Sequence, residues 1–133
     1  MNSMLASHPH AEDDIDVRSA AAGALAACAA HCSSCADACL AEDQVDQLRR
    51  CIRTNLDCAD LCAAAGRIVA RQTASDGSMF TSLLASCIEA CERCADECDG
   101  HADHHDHCRM CAETCRRCAS ACEALIESTM SAA

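Results

Sequence analysis

The spacing of the cysteines constrains this chain more than any other feature. Sixteen cysteines fall into four groups: Cys28, Cys32, Cys35 and Cys39; Cys51, Cys58 and Cys62; Cys87, Cys91, Cys94 and Cys98; and Cys108, Cys111, Cys115, Cys118 and Cys122. Within a group, neighbours stand three or four residues apart, with one step of seven from Cys51 to Cys58. A helix turns about 100° per residue, so such steps keep each group on one narrow stripe. Asn55 stands four after Cys51 and three before Cys58, in the vacant slot of its stripe, and is expected to face inward.

A helix hides its most apolar stripe from water. Little else in the chain offers one. The 133 residues include 29 Ala but only 9 Leu, 5 Ile, 3 Val and 1 Phe, with no Trp, Tyr or Lys. With a net charge of −11, so few large apolar side chains would ordinarily leave a chain disordered. Four inward stripes would line a bundle axis with sulfur. Ala and the flanking Leu48, Ile52, Leu56, Leu61, Leu84, Ile88, Leu125 and Ile126 would seal the seams.

Helix formers dominate from Asp16 onward, and no stretch shows the alternation of a strand. Residues 1–15 have no periodicity, hold the only proline, Pro9, and are expected to be a mobile arm. Asp43 with Asp46 resembles a helix start, Ser75 to Ser78 reads as a turn, and Gly100 followed by Asp103 suits a stop and a restart. The expected fold is all-α, an antiparallel four-helix bundle over 16–133, with helices near 16–41, 43–73, 78–99 and 103–130.

The N-terminus turns acidic at Glu12 to Asp16 before its first basic residue, Arg18, unlike a secretory signal. No run reaches the roughly 18 apolar residues of a membrane span. The protein is therefore expected to be cytoplasmic. In a reducing compartment, dense cysteine points to metal rather than cystine. The ten basic residues, all Arg, form no stripe for phosphate, so neither nucleic acid nor membrane is an expected partner. Sixteen equivalent cysteines along a narrow axis distinguish no nucleophile, so an enzyme is not expected.

Soft thiolates select Cu(I), zinc or iron–sulfur clusters. Zinc sites close on four ligands from tight knuckles, whereas these Cys-x-x-Cys steps lie inside helical runs. The run Cys108, Cys111, Cys115 has a ferredoxin-like look, but no cysteine precedes proline. Continuous ladders suit a metal that accepts two or three shared sulfurs. One Cu(I) per thiolate also leaves the buried core nearly neutral. Multiple Cu(I) ions are the expected cargo. A zinc storage or sensing module and an iron–sulfur protein are the alternatives, and cysteine as a small hydrophobe is the plainest one.

The four-group pattern, the Cys28-x-x-His31-Cys32-x-x-Cys35 element and the His-rich step before Cys108 resemble the bacterial copper storage proteins, in their cytosolic, signal-lacking branch. The likeness covers roughly residues 16–130. It implies a four-helix bundle storing many Cu(I) ions along its axis, and a homotetramer. Copper donors or acceptors, of unknown identity, would be its partners.

In such a bundle Cys39, Cys51, Cys98 and Cys108 meet at one end with His101, His104, His105, His107 and Met110. Imidazole and thioether bind copper more weakly than thiolate, as suits a place where ions arrive and move on. In the family, histidines here resemble a gate, and His101, His105 and His107 match best by spacing. Asn55 is a candidate polar gate residue just inside. His31 is read equally as a packing residue or a ligand, His8 and His10 are given no role, and Met79 beside Phe80 is expected to close the opposite end.

Overall fold

A computed structural model describes residues 1–73 and 77–131, the side chain of residue 131 excepted. Four long helices carry the four cysteine groups: α2 (Ile15–Leu40), α3 (Arg49–Val69), α4 (Ser78–Asp99) and α5 (Asp106–Ser131). A short helix, α1 (Asn2–Ala6), precedes them. No strand occurs among the described residues.

Each long helix packs on two others: α2 on α3 and α5, and α4 on α3 and α5. The chain runs up and down, as short connections require. Thus Arg18 at the start of α2 reaches the Val69 carbonyl at the end of α3, and Cys35 late in α2 lies beside His107 at the start of α5. All sixteen cysteines face inward, none more than 2% exposed. Ala21, Ala36, Ala59, Ala65, Ala95 and Ala112 fill the close approaches around them.

The α4 bounds agree with the expected 78–99, and α2 agrees to within a residue. The second helix starts later than its expected residue 43. Asp43 and Asp46 do not open it; a 3₁₀ turn over Val45–Leu48 comes first and tucks Leu48 into the core. Asp103 likewise lies in a turn, and Asp106 supplies the first acidic residue of α5. Of the expected turn, Ser75 and Asp76 lie outside the described residues, as do 132–133. Gly77 is described, with φ 113°, a left-handed conformation that glycine tolerates without steric cost.

The first 15 residues differ from the mobile arm expected of them. Leu5 of α1 is 2% exposed, and Gln72 grips the segment by donating to the Leu5 carbonyl at 2.8 Å and accepting the Glu12 N–H at 2.8 Å. Below α1, buried Leu25, Val69, Phe80, Leu84 and Leu125 fill that end. Phe80 is buried there, but Met79 is 68% exposed and does not help to close it. Leu56, expected in the seam, is 46% exposed and stands outside the seam that Ile52 and Leu61 help to seal.

Candidate metal centre

Cysteines from all four helices meet on the axis because each stripe is the inward face of its helix. None of the sixteen is in a disulfide. In the deep core, Cys28 lies 3.8 Å from each of Cys32, Cys58, Cys91 and Cys115. Cys91 lies 3.7 Å from both Cys58 and Cys62. Cys32 continues the ladder toward the far end, 3.5 Å from Cys115 and 3.7 Å from Cys111. Near that end Cys51 stands 3.6 Å from Cys98 and 4.0 Å from Cys108.

These sulfurs form overlapping rather than separate donor groups. Cys28, Cys58, Cys62 and Cys91 have ligand atoms within 4.8 Å of one another, as do Cys28, Cys32, Cys58 and Cys115, and again Cys32, Cys94, Cys111 and Cys115. Cys28, Cys32, Cys58 and Cys115 each belong to two of these groups. A closed zinc site keeps four ligands to itself, whereas shared sulfurs are what bridged Cu(I) requires.

Hydrogen bonding and burial drive the thiols apart in acidity. Cys115 heads the partners that lower Cys58 to about 6, and Cys122 heads those that lower Cys118 to about 5. Cys118 in turn leads the neighbours that push Cys62 and Cys91 up. Burial pushes Cys39 up, reinforced by charge on Cys35 and Cys51. The ladder thus mixes proton donors with acceptors, the internal order of a coupled network.

Asn55 occupies the position its spacing predicted and is fully buried. Its Oδ1 accepts the Cys94 thiol at 2.9 Å, Cys111 at 3.4 Å and Cys98 at 3.5 Å. The side chain thus fills a ladder position with an oxygen acceptor that joins three thiols from two helices.

The mouth forms where the α2–α3 and α4–α5 connections meet. His107, in the first turn of α5, points Nδ1 at Cys35 (3.4 Å) and Cys108 (3.6 Å). Cys35, Cys39, Cys108 and His107 make one further donor group. His107 Nε2 and His105 Nδ1 both lie 2.8 Å from Glu42 Oε2. Burial alone would lower the His107 pKa, but its bonds with Cys35 and Glu42 outweigh that and the net shift is upward. Glu42 is held below the ordinary carboxylate range, chiefly by the His107 hydrogen bond.

The other expected mouth residues divide. His101 pairs with Glu97 at 3.5 Å, one helical turn before it on the same edge. His104 and Met110 are exposed, Met110 by 46%. Met110 follows inward Cys108 by two positions, about 200° around the helix, which turns it outward. His31 is exposed too and bonds the Ala27 carbonyl at 2.8 Å, so it neither packs in the core nor joins the ladder. Glu42 was not singled out in the sequence. An acid after a helix gives no local signal of histidines more than sixty residues away.

The sequence model of the copper storage protein family matches residues 16–127. The uncharacterized cysteine-rich protein YhjQ of Bacillus subtilis (strain 168) is 38% identical over 84 residues, 63% of this chain and 72% of that protein. Among solved structures, the copper storage protein Ccsp of Streptomyces lividans, loaded with 10 copper equivalents, is 40% identical. It superposes with a TM-score of 0.91, over 95% of this chain and 97% of that one. A five-copper form, described as a cytosolic copper storage protein of the same organism, is 42% identical with a TM-score of 0.82, over 84% of this chain and 93% of that one. With a cysteine-lined bundle of the same architecture and a family match spanning most of its length, the chain belongs to the copper storage protein family.

Proposed function

We propose that this protein stores Cu(I) in bulk in the cytoplasm, bound by thiolates along the bundle axis and loaded through the His-rich end, so that the cell is protected from free copper. The observation that carries the reading is the continuous ladder of sixteen buried, unpaired thiols whose donor groups share members. Thiols ionise as copper arrives and their protons leave. Two- or three-coordinate Cu(I) ions then share sulfurs, and each positive charge offsets one thiolate, so the interior avoids a costly net charge. Storage, without a reaction, fits sixteen similar donors better than catalysis does. Cys35, Cys39, Cys108 and His107 are the first ligands met from the mouth, and the remaining cysteines hold ions deeper in.

Anaerobic titration with Cu(I) tests the reading. Uptake should continue to on the order of one ion per cysteine. A plateau at two or four ions would instead indicate isolated zinc-type sites or a sensor. The homotetramer implied by the family resemblance belongs to the same proposal, and light scattering on the apo and loaded protein decides it.

A further inference from the structure

We propose that Glu42 is the positioning residue of the mouth: by accepting the His107 Nε2–H, with His105 paired to the same oxygen, it sets the tautomer of the neutral His107 ring and leaves the Nδ1 lone pair facing Cys35 and Cys108. The inference rests on the storage reading for its purpose, though not for its geometry.

An ionised carboxylate only accepts hydrogen bonds, and the imidazole in its neutral, metal-binding form carries one N–H. His107 meets Glu42 Oε2 through Nε2 at 2.8 Å, so its hydrogen sits on Nε2. His105 Nδ1 lies 2.8 Å from the same oxygen as an ion-pair neighbour. The rings stack with centroids 5.3 Å apart and planes 24° from parallel, which allows both to reach one oxygen. Three chain segments are tied together at that point: the turn after α2, the turn before α5, and the first turn of α5.

The consequence falls on His107. Its Nδ1 stands 3.4 Å from the Cys35 sulfur and 3.6 Å from the Cys108 sulfur. With the hydrogen on Nε2, Nδ1 holds a lone pair that can accept a thiol hydrogen or bind an arriving Cu(I) beside Cys35, Cys39 and Cys108. In the other tautomer an N–H would fill that place and block both. A carboxylate behind a metal-binding histidine orients the ring and raises its basicity, and removing such a partner typically costs tenfold or more.

The test uses the full-length reduced protein and the variants Glu42→Ala, Glu42→Gln, His107→Ala and Glu42→Ala/His107→Ala. Long-range proton–nitrogen correlation NMR of the copper-free wild type, at a pH where the imidazole is neutral, should show His107 protonated on Nε2. This readout needs no variant to fold. Glu42→Gln, whose amide oxygen still accepts, should keep that tautomer of His107, and Glu42→Ala should mix the two. Stopped-flow transfer of Cu(I) from its bicinchoninate complex should be about tenfold slower in Glu42→Ala for the first equivalents and largely restored in Glu42→Gln. The double variant should be no slower than His107→Ala. A neutral wild-type His107 protonated on Nδ1, or Glu42→Ala and His107→Ala effects that simply multiply, would overturn the assignment. A wild type that accepts only a few equivalents would defeat the storage reading and leave the tautomer result standing.

Discussion

The Cys94 thiol on α4 donates to Asn55 Oδ1 on α3 across 2.9 Å, where the mouth layer of sulfur passes into the deep core. The same oxygen receives Cys98 and Cys111, so one amide organises three thiols that would otherwise find only weak sulfur acceptors. Asn55→Ala should lower the stability of the reduced, copper-free protein by about 1–3 kcal/mol, the usual cost of stranding buried polar groups. Urea unfolding under reducing conditions measures it. Asn55→Cys restores a sulfur to the stripe and should add about one Cu(I) to the final capacity. An unchanged stability in Asn55→Ala would mean that the amide is only a spacer.

Loading should stabilise the fold. A ligand that binds the folded chain far more tightly than the unfolded one raises the melting temperature, and copper draws together sulfurs from all four helices. Differential scanning calorimetry of the apo and fully loaded protein should show a large upward shift that a strong Cu(I) chelator reverses. Proton release should accompany uptake, on the order of one proton per ion, readable with a pH dye in weak buffer. Equal melting temperatures would place copper outside the interior.

The far end is sealed by Leu5, which α1 lays over the core and Gln72 holds through the Leu5 carbonyl. Leu5→Ala should destabilise the protein by about 2–3 kcal/mol, within the range for truncating a buried leucine. Its copper loading rate should match the wild type if, as proposed, ions are loaded through the opposite, His-rich end. A faster rate in Leu5→Ala, measured by stopped flow, would reveal a second way into the ladder.

What the sequence made legible follows one periodic signal. Steps of three and four put every cysteine, and Asn55 with them, on an inward stripe. That signal is silent where period is absent. Helix α1 is five residues long with one apolar anchor, too short for a repeat, and only the docking of Leu5 explains it. Neighbouring positions mislead as well: Met110 and His31 adjoin cysteines in sequence, yet helical rotation turns both outward. The pairing of Glu42 with His105 and His107 joins two connections that only the assembled bundle brings together. Periodicity thus finds the store, while the machinery at its opening depends on tertiary contacts.

Arg18 lets the closed end be separated from the copper core. Its guanidinium is nearly buried at 3% exposure, donates to the Val69 carbonyl at 3.0 Å, and sits 5.4 Å from the Phe80 ring centroid. Asp14 lies 3.6 Å away. Arg18→Met keeps the apolar stem but strands the carbonyl and the carboxylate, and should cost about 2 kcal/mol, as for a hydrogen bond to a charged group. Arg18→Lys keeps the charge but loses the flat face above Phe80, and should fall between Arg18→Met and the wild type. Because Asp14 and Arg18 are shielded from solvent, the differences should persist at high salt. Thermal unfolding of the reduced apo protein gives the ranking, and Cu(I) titration should show the same capacity in all three. A capacity loss in Arg18→Met would mean that the plug and the ladder are one cooperative unit rather than two neighbouring ones.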